Sequence, residues 1–109
     1  LDSQCGRLFD TLDRLQLRDN TLVIFASDNG PWFGGSTAGL RGMKASSFEG
    51  GLRVPFIARF PGRIPAGRVC REIAGVIDVL PTVCGIAGAP LPQGRELDGR
   101  DIWQLMTKD

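Results

Sequence analysis

The sequence has 109 residues, enough for one small domain with a core of its own. Its hydrophobic fraction of 42% is ordinary for a soluble globular chain, and thirteen basic against twelve acidic residues leave a net charge of +1, so charge gives no reason to expect a nucleic-acid or membrane partner. No apolar run approaches the roughly 20 residues of a membrane span, and three scattered cysteines (Cys5, Cys70, Cys84) with no histidine argue against a disulfide scaffold and a zinc site.

The absence of histidine also removes the commonest general acid or base, so catalysis by this chain alone would have to use carboxylates, lysine or a metal. The N-terminus does not read as a signal peptide. It begins without Met inside a helical pattern, which predicts a piece of a longer chain.

Residues 3–17 place Leu8, Leu12 and Leu15 at helical spacing beside Phe9, with Asp10, Asp13 and Arg14 largely between them, and predict an amphipathic helix. "RDNT" turns the chain into a strand from Leu22 to Ala26. That strand is apolar on both faces, the pattern of a buried parallel strand, so helix, short loop and buried strand together predict an α/β fold. From Gly30 to Gly51 seven of 22 residues are glycine, with no periodic apolar face, which predicts a long functional loop.

A second strand is expected from Val54 to Phe60, stopped by Pro61-Gly62, and a third, short one from Glu72 to Ile77. Asp78 is placed to cap a helix through "VLPTVCGIAG", with Pro81 in its first turn and Gly88 and Pro90 ending it. "ELDGRDIWQLM" predicts a last helical turn or two. Two or three strands and two helices are too few to cover a strand apolar on both faces. The inventory therefore predicts a slice of a larger α/β domain.

Two places carry candidate chemistry. Asp28-Asn29 follow the first strand directly, and ligands in open α/β folds gather at the carboxyl ends of strands. Both side chains offer the hard oxygens that Ca²⁺ or Mg²⁺ selects. Asp-Asn-Gly-Pro is equally turn chemistry, and pattern alone leaves both readings standing. In the glycine-rich loop, Arg41 and Lys44 are carried toward the same sheet edge. A P-loop is excluded, because Met43 separates Gly42 from Lys44 and Ala45 follows the lysine. A lysine there can hold an anionic ester as a point charge, or can simply be solvated. Glu49 and Arg53, around Gly50-Gly51, read as an ion pair fixing the base of the loop.

Taken in order, "TLVIFASDNGP", "GLRGMKASSFEGGLRVPFIARFPGRIPAG", "IDVLPT" and "LDGRDI" resemble the later part of the catalytic domain of the formylglycine-dependent sulfatases of the arylsulfatase type. The resemblance covers almost the whole chain and implies a partial alkaline-phosphatase-like α/β fold, an incomplete sheet with flanking helices. It implies hydrolysis of sulfuric esters with one Ca²⁺, acting on a small sulfate ester or a sulfated glycan in a secreted, periplasmic or lysosomal setting. On the same basis Asp28 and Asn29 match the family's metal-binding pair, and Lys44 matches the catalytic lysine that contacts the substrate sulfate.

The resemblance also sets a limit. The family's nucleophile arises from a C/S-x-P-x-R motif converted to formylglycine, and none of Cys5, Cys70 or Cys84 lies in such a motif. The expectation is a fragment of one sulfatase catalytic domain, spanning residues 1–109. It would supply half of a Ca²⁺ site and a sulfate-contacting lysine, and be inactive alone. A phosphoester or phosphonate hydrolase of the same superfamily and a non-catalytic truncated product are the alternatives.

Overall fold

The computed structural model describes residues 1–108, which form two compact units, residues 1–21 with 60–108, and Leu22–Arg59. In chain order the elements are α1 (Asp2–Arg14), β1 (Val23–Ala26), α2 (Glu49–Leu52), β2 (Phe56–Arg59), α3 (Val79–Ala87) and α4 (Trp103–Thr107), with 3₁₀ turns at Arg18–Asn20 and Val76–Asp78.

In the first unit, α1 carries Asp2 in its first turn and Arg14 in its last, charges that complement the helix dipole. Its more enclosed apolar side chains are Cys5, Phe9 and Leu12, so Phe9 and Leu12 of the predicted stripe are partly covered while Leu8 is 48% exposed. The helix ends at Arg14, so Leu15 lies beyond it. Gln16 sits there at φ 56°, and the Gln16 and Leu17 amides donate back to the Asp13 and Leu12 carbonyls. That pair of bonds is a Schellman termination in which a glutamine fills the usual glycine position.

The third predicted strand does not form. Ile73 is almost wholly exposed, and the chain winds into a 3₁₀ turn because the Asp78 carboxylate accepts the Gly75 amide at 2.7 Å. Asp78 does precede α3, as expected, and Gly88 ends that helix in the left-handed conformation at φ 64°. The Asp78 side chain reaches backward to Gly75 and outward to the Arg100 amide at 2.8 Å instead of capping α3. Buried Thr82 donates its hydroxyl to the Asp78 carbonyl at 2.6 Å and accepts the Ile102 amide at 2.9 Å. These bonds fasten residues 100–102 to the start of α3. Phe60, 3% exposed, lies edge-on to Trp103 of α4 with ring centroids 6.4 Å apart.

In the second unit β1 pairs with β2 in an antiparallel ladder, Val23 opposite Arg59 and Ala26 opposite Phe56. The expected parallel, buried strand is thus antiparallel here, in a two-stranded sheet with Phe25 and Ile57 substantially exposed. Apolar residues on both faces call for covering layers, and two strands alone do not provide them. β2 is shorter than expected at its start, where Pro55 offers no amide to the ladder.

Candidate active site

The site residues singled out above all lie in the second unit, on the segments joining β1 to β2. β1 ends at Ala26, and the Ser27 hydroxyl donates to the Asn29 carbonyl at 2.9 Å, bending the chain so that Asp28 is exposed and Asn29 partly buried. Gly30 comes next for a steric reason. It is buried, its amide donates to the Gly51 carbonyl at 2.9 Å, and a Cβ there would overlap the Gly50 carbonyl oxygen. The Asp28-Asn29 pair is therefore anchored by close backbone contact of Gly30 with Gly50-Gly51 across the loop.

The glycine-rich stretch resolves into consecutive turns rather than one irregular loop. The Gly35 amide closes a turn onto Trp32, Leu40 onto Thr37, Ser46 onto Met43, and Gly51 onto Phe48. The first of these presents Trp32 and Phe33, exposed and edge-to-face at 5.0 Å. Arg41 lays its guanidinium over the Phe48 ring, 3.8 Å from the centroid, a cation–π contact that fixes its direction.

Lys44 follows on the third turn, and its amide donates to the Pro31 carbonyl at 3.0 Å. Pro31 is only two residues from Asn29, so the loop bearing the lysine and the loop bearing the Asp-Asn pair are laced together twice, at Pro31–Lys44 and at Gly30–Gly51. The anticipated Glu49–Arg53 ion pair is present at 2.6 Å, joining the first residue of α2 to the residue just after it, with both side chains mostly exposed. Gly50 and Gly51 lie between them in the short helical turn of α2.

Asp28 and Asn29 match a hard divalent cation in donor type and fall short of it in number. Two side chains supply a fraction of the roughly six to eight oxygens that Ca²⁺ takes. Among the described residues no group of three or more His, Cys, Asp or Glu is arranged to hold a metal ion. What the structure adds to the sequence reading is the role of Ala45, Ser46 and the paired glycines in shaping the turn under Lys44. Serine and alanine are too common in loops to be noticed in a sequence.

Comparison with known proteins agrees with this architecture. The chain matches the Sulfatase protein family over residues 1–89. It is 43% identical to the steryl-sulfatase of Rattus norvegicus, over 97% of this chain and 20% of that protein. It is 39% identical to the N-acetylgalactosamine-6-sulfatase of Canis lupus familiaris, over 97% of this chain and 22% of that protein. Among solved structures, Ps i-CgsB in complex with k-i-k-neocarrahexaose superposes with a TM-score of 0.86 at 36% identity, covering 90% of this chain and 22% of that one. The chain belongs to the sulfatase family, and its α/β fold is part of the alkaline-phosphatase-like sulfatase fold. It spans about one fifth of the length of the curated relatives it matches. No helix among the described residues is long and apolar enough to cross a membrane.

Proposed function

We propose that this chain is one stretch of a single sulfatase catalytic domain, residues 1–109, and that the protein carrying it hydrolyses sulfuric esters. In this reading Lys44 contacts the sulfuryl group, and Asp28 and Asn29 supply oxygen ligands to a Ca²⁺ whose remaining ligands lie outside this chain. The observation that carries the proposal is the double lacing of the two loops, Lys44 amide to Pro31 carbonyl at 3.0 Å and Gly30 amide to Gly51 carbonyl at 2.9 Å. It holds the backbone that bears the cation against the backbone that bears the two oxygen donors. The exposed apolar side chains of the two-stranded sheet, with Ile57 61% exposed, support a larger sheet around it.

When bound, the Ca²⁺ supplies positive charge that offsets the anionic substrate. Asp28 and Asn29 do the holding, through hard oxygens placed just beyond a strand end. Lys44 contributes an ammonium group with three donors. Sulfuryl transfer shifts negative charge on the sulfuryl oxygens, and a fixed cation beside them favours the transition state over the ground state. The formylglycine nucleophile belongs to a part of the protein outside this chain.

The substrate is a small sulfate ester or a sulfated glycan. The relatives include a steryl-sulfatase and an N-acetylgalactosamine-6-sulfatase, and a matched solved structure is in complex with k-i-k-neocarrahexaose. The test is parallel hydrolysis of 4-nitrophenyl sulfate and 4-nitrophenyl phosphate by the native gene product that carries this chain. Faster sulfate turnover is expected. Clearly faster phosphate turnover would reassign the protein to phosphoester hydrolysis.

A further inference from the structure

Lys44 occupies the second position of a four-residue turn, Met43-Lys44-Ala45-Ser46, and that turn is bonded more heavily than a surface turn requires. The Ser46 amide donates to the Met43 carbonyl at 3.0 Å, the ordinary closure. The Ser46 hydroxyl then donates to the same carbonyl at 2.8 Å and accepts the Met43 amide at 3.1 Å. Three hydrogen bonds thus join the two residues that flank Lys44-Ala45. A fourth, from the Lys44 amide to the Pro31 carbonyl, ties the turn to the Asp28-Asn29 segment.

The turn also holds a conformation that its residues do not favour. Ala45, directly after the lysine, sits at φ 70°. The third position of a turn of this kind asks for positive φ, and glycine or asparagine supplies it without steric conflict. An alanine held there shows that the surroundings impose the geometry, and residues so held cluster at functional sites. Those surroundings are the close backbone approach of Gly51, where a Cβ would run into the Ser46 and Met43 carbonyl oxygens. On the other side a Cβ on Gly42 would strike the Ser46 hydroxyl and lie 2.7 Å from the Phe48 Cβ.

We infer that Ser46 is a positioning residue for Lys44, its hydroxyl clamping the turn so that the ammonium group is presented from a fixed backbone. The inference rests on the reading of Lys44 as the sulfate contact. A cation that must meet developing charge gains from rigidity, because a displacement of about 1 Å at a reacting centre can cost on the order of 100-fold in rate. Ser46 itself touches neither substrate nor metal. It acts through Lys44 alone.

The experiment is a double-mutant cycle in the native gene product, with kcat and KM measured on 4-nitrophenyl sulfate for wild type, Ser46→Ala, Lys44→Ala and the double variant. Ser46→Ala is expected to lower kcat by roughly 10- to 100-fold with a smaller change in KM. The double variant is expected to be no slower than Lys44→Ala alone, because the clamp has nothing left to position. Two losses that multiply, or a Ser46→Ala enzyme with normal kcat, would overturn the inference. Normal kinetics in Lys44→Ala would instead overturn the reading of Lys44 itself, so the two failures are distinguishable. If Ser46→Ala does not fold, Ser46→Cys keeps the volume while weakening both hydroxyl bonds. It is then expected to fold and lose kcat, and full activity in it would contradict the clamp.

Discussion

The backbone amide of Lys44 donates to the carbonyl of Pro31 at 3.0 Å, two residues beyond Asn29. This bond spans twelve residues of glycine-rich chain and makes one assembly of two segments that look independent in sequence. It brings a loop lysine and a pair of strand-end oxygen donors onto a common backbone frame.

Removing a donor from that frame should be felt by the metal. Asp28→Ala in the native gene product is expected to weaken Ca²⁺ binding by at least about tenfold and to lower sulfate ester turnover in parallel, since a lost carboxylate removes both a ligand and a charge. Calorimetric titration with Ca²⁺ alone, beside kinetics, is the check. Unchanged Ca²⁺ affinity would return Asp28-Asn29 to the role of a turn.

Gly51 and Gly30 should tolerate no side chain. A Cβ on Gly51 would meet the Ser46 and Met43 carbonyl oxygens, and one on Gly30 the Gly50 carbonyl oxygen. These obstacles are backbone atoms that cannot rotate away. Gly51→Ala and Gly30→Ala are each expected to destabilise by roughly 2 kcal/mol or more, read as a lower midpoint in urea unfolding. Gly6→Ala, with open space around its position, is the control and should not destabilise the chain.

Gln16 offers the opposite opportunity. A non-glycine residue at φ 56° carries a left-handed strain of about 1–2 kcal/mol, against about 0.5–1 kcal/mol of extra unfolded-state entropy for glycine. Gln16→Gly should therefore stabilise by about 0.5–1 kcal/mol. Thermal unfolding would show a raised midpoint, and a lowered one would contradict the Schellman geometry at the end of α1.

Asp78 predicts how stability depends on pH. Its carboxyl is held below the ordinary carboxylate range, first by the hydrogen bond from the Arg100 amide, then by that from the Gly75 amide, with the Arg100 charge adding a smaller effect against a modest opposing cost of burial. A carboxyl lowered on folding binds fewer protons in the folded chain than in the unfolded one. Its contribution is therefore complete above about pH 4, the unfolded value for aspartate, and is lost as pH falls through the folded value. Asp78→Asn should remove that contribution at neutral pH and flatten the acid limb of a stability–pH series. An unchanged acid limb would show that Asp78 does not carry it.

Much of the second unit was legible because its signals are local. A five-residue apolar run announces a strand, Asp-Asn-Gly-Pro announces its end, and Glu49 and Arg53 stand one helical turn apart. The boundaries of α3 were legible for the same reason, from Asp78 before it and Gly88 after it. Strand direction was not, because parallel or antiparallel pairing depends on which strand arrives alongside, and Val23–Ala26 reads the same in either case. The third strand failed because one carboxylate bond, Asp78 to Gly75, outweighed the β-propensity of Ile73, Val76 and Ile77. Ser46 escaped notice because a serine becomes a clamp only through the approach of Gly51 and the turn around Ala45. Those are three-dimensional facts with no periodic trace.

The proposed contact of Lys44 with the sulfate is tested by the steady-state kinetics of Lys44→Ala in the native gene product on an aryl sulfate, with circular dichroism to confirm the fold. An unaltered spectrum with kcat/KM reduced by about 100-fold or more is expected, on the scale of losing one fixed charge stabiliser. A folded variant with wild-type kinetics would contradict it.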